Sequence, residues 1–77
     1  MTLGKRIRRA RLAAGLSQVT LSGLIGVDQT TLSGWERDDG PEPRLGHAVR
    51  LAALTGAKLR WLATGVGASG LRERRAS

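Results

Sequence analysis

The 77 residues carry a net charge of +7 and include two tryptophans but no phenylalanine, tyrosine or cysteine. That length holds one domain with a thin core, the missing cysteine excludes a disulfide framework or thiolate metal site, and no apolar stretch approaches the roughly 20 residues that span a bilayer. A small, strongly basic chain points to a polyanionic partner, either nucleic acid or an anionic membrane surface. Two aromatics are few for a protein that stacks single-stranded bases. Met1 to Arg11 is basic but lacks the apolar run of a secretory signal, so a cytoplasmic protein is expected.

In chain order, Leu3, Ile7, Ala10 and Ala14 recur at helical spacing, with Lys5, Arg6, Arg8 and Arg9 mostly on the other side. Leu12 falls off that apolar stripe. Gly15 sits where a left-handed C-terminal cap belongs. Ser17 is a good N-cap for a second helix whose inward residues are Leu21 and Ile25. Gly26 ends that helix, Val27 follows as a buried spacer, and Asp28 opens a third helix with Leu32 and Trp35 on its inner face. Two short helices joined by a tight turn at Gly26 are the outline of a helix-turn-helix.

Residues 38–43, DDGPEP, read as a loop. Pro43 suits the start of a fourth helix, with Leu45, Ala48, Val49, Leu51 and Ala52 as its apolar set and Gly56 as its stop. Lys58 to Thr64 form a short fifth helix with Leu59 and Leu62 inward. Beyond Gly65 the chain is glycine-rich and then basic, with Leu71 its one core former. The expected organisation is all-α: a compact five-helix bundle over residues 1–65 and a flexible basic tail over 66–77. His47, alone on the exposed side of the fourth helix, has no cysteine partner or metal cluster in the sequence, and no nucleotide-binding glycine loop is present. No enzyme activity, metal or cofactor is expected.

From Ile7 to Gly65 the segments IRRAR, GLSQ, IGVDQTTLSGWER and WLATG follow one another without gaps. In this order and spacing they resemble the Cro and phage-repressor helix-turn-helix family, of XRE type. The resemblance implies a regulator, in most relatives a repressor, that binds double-stranded DNA as a dimer on a palindromic operator with its third helix in the major groove. On these terms Gln18, beside the Ser17 cap, bonds a phosphate where helix N–H groups face the same anion. Gln29 reads adenine N6 and N7, and Thr30 offers its methyl to thymine or its hydroxyl to a base edge. Ser33 projects outward with them. Asp28 caps the third helix or accepts from cytosine N4. Thr31 packs the turn. Gly34 stands where relatives often carry a long polar side chain, and removes a contact or allows a close approach.

The same resemblance pairs Arg11 with Glu36 across the interior, covered by Ala10 and Trp35. It places Arg44 at the DNA backbone or minor groove. Lys5, Arg9 and Arg8 add phosphate contacts from helix one or form a solvated charged face. Asp38, Asp39 and Glu42 make acidic a loop that is often basic in phage repressors. Backbone contact there falls to Arg37, Arg44 and main-chain N–H groups, or the loop meets a basic surface of another subunit or protein. Lys58 replaces the usual N-cap of helix five. Val19 and Leu24 are apolar where relatives are often polar, as ordinary exposed hydrophobes. The homodimer, weak without DNA, is expected through Ala57, Lys58, Leu59 and Arg60. The alternative is an antitoxin-like or controller-type protein whose main partner is a second protein, with residues 66–77 ordering on it. Membrane binding by helix one is disfavoured, because Ile7 and Arg11 belong to the fold.

Overall fold

Thr2 starts the first helix: its hydroxyl accepts from the Lys5 N–H at 3.2 Å, satisfying one of the donors a helix N-terminus leaves open. The computed structural model describes residues 1–72. Among them five helices follow: α1 (Leu3–Ala13), α2 (Gln18–Ile25), α3 (Gln29–Glu36), α4 (Leu45–Thr55) and α5 (Leu59–Thr64), with no strand. Ser17 caps α2 by accepting from the Thr20 N–H at 3.0 Å. Gly26 ends α2 at φ 92°, a left-handed conformation that a side chain would strain. There the N–H groups of Gly26 and Val27 both reach the Ser22 carbonyl, which turns the chain into α3 within three residues.

Each helix gives the core one large side chain that is almost fully buried: Ile7, Leu21, Leu32, Leu51 and Leu62. Trp35 and Trp61 close the cluster, and Leu3, Leu16, Val27 and Leu71 pack on its rim. Burying a leucine-sized side chain contributes about 1.5–3 kcal/mol, so this five-way junction is what fixes the mutual placement of α2 and α3. α1 packs against α3, α4 and α5, and α2 against α3 and α4. Gly4 makes the α1–α3 crossing possible, since a Cβ there would stand 2.5 Å from the carbonyl oxygens of Trp35 and Glu36.

Several expectations are corrected. Arg6 is not on a solvated face: it is 8% exposed, and its guanidinium donates to the carbonyls of Met1, Leu62 and Ala63. Its stem crosses the interior while its head caps the end of α5. Pro43 precedes α4 by two residues, because Arg44 stays extended (φ −64°, ψ 161°) as its N-cap. Leu45 and Val49, four residues apart on one flank of α4, are 74% and 45% exposed. The buried face of α4 is set instead by Leu51, Ala52 and Thr55. α5 begins at Leu59, which is left at the rim while Trp61 and Leu62 turn inward; Lys58 occupies its N-cap position without a side-chain bond. Residues 66–72, expected to begin a flexible tail, lead back to the bundle, and Leu71 joins the core rim. The remaining tail residues, 73–77, lie outside the described residues.

Candidate functional site

The polar ends of α2 and α3 meet over a buried ion pair. Arg11 Nε lies 2.7 Å from Glu36 Oε2 and Arg11 Nη2 lies 2.9 Å from Glu36 Oε1, a two-pronged pairing of guanidinium and carboxylate. Both residues are 8% exposed. The third nitrogen of Arg11 donates to the Leu16 carbonyl at 3.0 Å, tying the α1–α2 turn to the same brace. The hydrogen bond to Glu36 raises the Arg11 pKa above its ordinary value, against the lowering effect of burial.

A chain of amides leads outward from this pair. Gln18 Nε2 donates to Glu36 Oε1 at 3.2 Å, and Gln29 Nε2 donates to Gln18 Oε1 at 3.3 Å. A carboxylate only accepts, so Glu36 turns the NH₂ group of Gln18 inward and its oxygen outward. Gln29 must then present its own NH₂ group to that oxygen. It keeps one N–H and one carbonyl oxygen for a ligand, held on the exposed side of α3. Side chains 11 positions apart on two helices carry no periodic signal, so the link between Gln18 and Gln29 is not legible in the sequence.

Around Gln29, Asp28, Thr30 and Thr31 are exposed and Ser33 is half-buried. Asp28 occupies the N-cap position of α3, but no side-chain capping bond forms. Its carbonyl accepts from Thr31 and Leu32 while the carboxylate stays in solvent, which corrects its expected capping role; only attraction to the positive end of the helix remains for the charge. Thr31, exposed, does not pack the turn. Ser17, next to Gln18, is tied to Thr20 through both its hydroxyl roles.

The loop after α3 folds back over Gly34. Asp39 N–H donates to the Gly34 carbonyl at 2.9 Å, and a Cβ on Gly34 would stand 3.2 Å from the Asp39 carbonyl. The glycine therefore makes room for the protein's own loop. Thr30, Thr31, Gly34, Trp35, Asp39 and Pro41 line a shallow groove there. Asp38, expected as one of three acids facing outward from this loop, is turned onto α1 instead. Its carboxylate accepts from the Thr2 hydroxyl and, at 2.8 Å, from the Gly4 N–H. These two bonds, the Thr2 one first, hold its pKa below the ordinary value. Asp39 lies 3.8 Å from Arg37, with both side chains exposed.

The remaining basic candidates are spread more widely. Lys5, Arg37 and Arg44 are exposed. Arg9 holds its guanidinium 5.8 Å from the ring centroid of Trp61, so it faces α5. His47, expected on an exposed face, is half-buried, its ring 5.4 Å from that of Trp35. Of the four residues expected to pair two copies, Lys58, Leu59 and Arg60 are exposed, whereas Ala57 is 6% exposed and belongs to the core. Arg50, absent from every sequence expectation, donates to the Leu24 carbonyl at 2.8 Å and holds the end of α2 against α4. Among the described residues no group of histidines, cysteines or acids could hold a metal ion, and no helix is long and apolar enough to cross a membrane.

Two eight-residue helices joined by a left-handed glycine, with the second displaying polar side chains from its first turn, define a helix-turn-helix protein. The Helix-turn-helix family model matches residues 7–62, and the chain belongs to that family. It is similar to the P22 c2 repressor solved in complex with a synthetic operator: 27% identity over 86% of this chain and 98% of that one, with a TM-score of 0.77. Similarity to the restriction-modification controller protein C.AhdI from Aeromonas hydrophila reaches 37% identity over 78% of this chain and 89% of that one, with a TM-score of 0.69. The N-terminal DNA-binding domain of SinR from Bacillus subtilis matches at 27% identity over 78% and 87% of the two chains, with a TM-score of 0.70. No curated protein sequence matches the chain.

Proposed function

We propose that this protein is an intracellular, sequence-specific regulator of transcription that binds double-stranded DNA. It acts as a repressor, by two copies occupying a palindromic operator with α3 of each in the major groove. The observation that carries the reading is the amide chain from Glu36 through Gln18 to Gln29. It leaves Gln29 with one donor and one acceptor side by side, the pair that matches adenine N7 and N6. Thr30, Ser33 and Asp28 supply further base-edge contacts. Gln18, Ser17, Arg37, Arg44 and Lys5 bond the sugar-phosphate backbone, with Gln18 using its second N–H beside the N-terminus of α2. Arg9, stacked toward Trp61, is the weakest member of that set. The likeness to a repressor solved on its operator supports the whole arrangement.

Two copies pair through Lys58, Leu59 and Arg60 beside the α4–α5 turn. This sets the two α3 helices about 34–36 Å apart, one turn of DNA. The protein is a binding module and not an enzyme. The 37% identity to a controller protein favours a second reading within the same class, a controller-type regulator of its own promoter. The SinR protein, similar at 25% identity and solved with SinI, supports a protein partner beside DNA.

Substitution separates the roles. Gln29→Ala should relax preference at one base pair in each half-site, losing about 1–3 kcal/mol of discrimination there. Arg44→Ala should weaken binding evenly across sequences and lower the salt slope by about 1. Binding isotherms on a set of single-base operator variants at two salt concentrations distinguish the two. A Gln29→Ala protein that keeps full preference at every base pair contradicts the assignment.

A further inference from the structure

The groove between α3 and the loop after it has no occupant among the contacts assigned above. Thr30, Thr31 and Gly34 line it from the helix, Asp39 and Pro41 from the loop, and Trp35, only 8% exposed, lies deepest. The protein itself holds it open. The Asp39 N–H bonds the Gly34 carbonyl at 2.9 Å, and the carboxylate of Asp38 is anchored on α1 by Thr2 and Gly4. The loop wall is thereby fixed against α3 before any ligand arrives. The space depends on Gly34, since a Cβ there would stand 3.2 Å from the Asp39 carbonyl oxygen, on the opposite wall.

The groove adjoins the base-edge candidates of α3. Thr30 follows Gln29 directly, and Gly34, four residues beyond Thr30, lies on the same stripe of the helix. Asp39 is the one charged residue of the lining, and its carboxylate stands 3.8 Å from Arg37. That acid disfavours a phosphate in the groove. A polar base edge pressed into it would give up water for few partners. The major groove of DNA presents one apolar group among its base edges, the C5 methyl of thymine. A shallow slot walled by threonine, glycine, proline and tryptophan suits a methyl group and not a whole ring.

We propose that the groove opened by Gly34 is a specificity subsite that takes the C5 methyl of one thymine in each half-site. The proposal rests on the reading of α3 as the helix that meets base edges. Gln29 reads its base by hydrogen bonds, whereas this subsite reads by shape and desolvation. Gly34, Pro41 and the floor at Trp35 determine the preference, and Gly34 acts by having no side chain.

The test uses the full chain and a duplex that it selects from a random pool. Deoxyuridine replaces each thymine in turn, which removes the methyl and leaves every hydrogen-bonding group in place. At one thymine of each half-site the parent should lose about fourfold in affinity, the worth of burying one methyl-sized group. In Gly34→Ala, which fills the slot, and in Pro41→Ala, which removes one wall, thymine and deoxyuridine should bind alike at that position, with the preference due to Gln29 retained. Equal binding of every deoxyuridine duplex by the parent overturns the subsite and leaves the reading of α3 in place. A thymine whose methyl counts equally in parent and both variants overturns it too, because that methyl then rests elsewhere. Cytosine and 5-methylcytosine at the same position test the choice of base: 5-methylcytosine bound more tightly than thymine overturns the assignment to thymine. If no sequence is selected from the pool, the reading of α3 falls and takes the subsite with it.

Discussion

Three N–H groups from two side chains converge on the carboxylate of Glu36: two from Arg11 and one from Gln18. Removing Arg11 would leave that charge buried without its partner, at a cost of about 3–5 kcal/mol, a large share of what a domain of this size has. Arg11→Ala should therefore unfold the protein near ambient temperature in thermal and urea denaturation. A folded variant with unchanged melting contradicts the account. Gln29 depends on the same pair indirectly, because Glu36 sets which way the Gln18 amide points. At this scale the sequence was informative where a partner follows from residue type at fixed places in a familiar pattern, as for the Arg11–Glu36 pair. It was misleading for Arg6, which shares a charged run with Lys5 and Arg8. Periodicity assigns a face to the Cα, whereas a long stem can carry its charge through the interior to carbonyls 56 positions away in sequence.

Helix ends were legible because glycines mark them: Gly26, Gly56 and Gly65 each close a helix in the left-handed conformation. Helix faces were less so. Leu45 and Val49 satisfy helical spacing yet lie on an exposed flank, since α4 is buried only where α1, α2 and α5 reach it. The capping of α1 by Asp38 was hidden, because its partners Thr2 and Gly4 lie more than 30 residues away. That cap has a pH signature. Its folded pKa lies below the ordinary 3.8, so its stabilisation is present above that value and is lost as the pH falls through the folded pKa. Asp38→Asn should melt at a lower temperature than the parent at neutral pH, with the gap closing in acid below 3.8. Melting curves recorded from neutral to strongly acidic pH check this. A gap that stays constant across that range would mean that the Asp38 charge contributes nothing to the cap.

On the scale of the whole molecule, the five short helices of the described residues share one core so that two of them can hold a polar edge outward. The net charge of +7 supplies attraction to a polyanion that is blind to sequence and weakens with salt. The acidic loop after α3 is partly tied up within the protein: Asp38 is drawn onto α1, and Asp39 stands opposite Arg37. The order of elements could be read from the chain alone. The return of residues 69–71 could not, because a glycine-rich stretch with a single leucine has no period, and its docking depends on the shape of a turn elsewhere.

In the function proposed above, two copies of the protein read a particular DNA sequence. The most direct measurement is retention of random-sequence duplexes by the intact protein at moderate salt, followed by sequencing of what is held. The account predicts enrichment of a roughly palindromic site whose half-sites are centred one helical turn, about 34–36 Å, apart. Retention without any enriched sequence would reduce the interaction to charge alone and contradict it, and so would no retention at all.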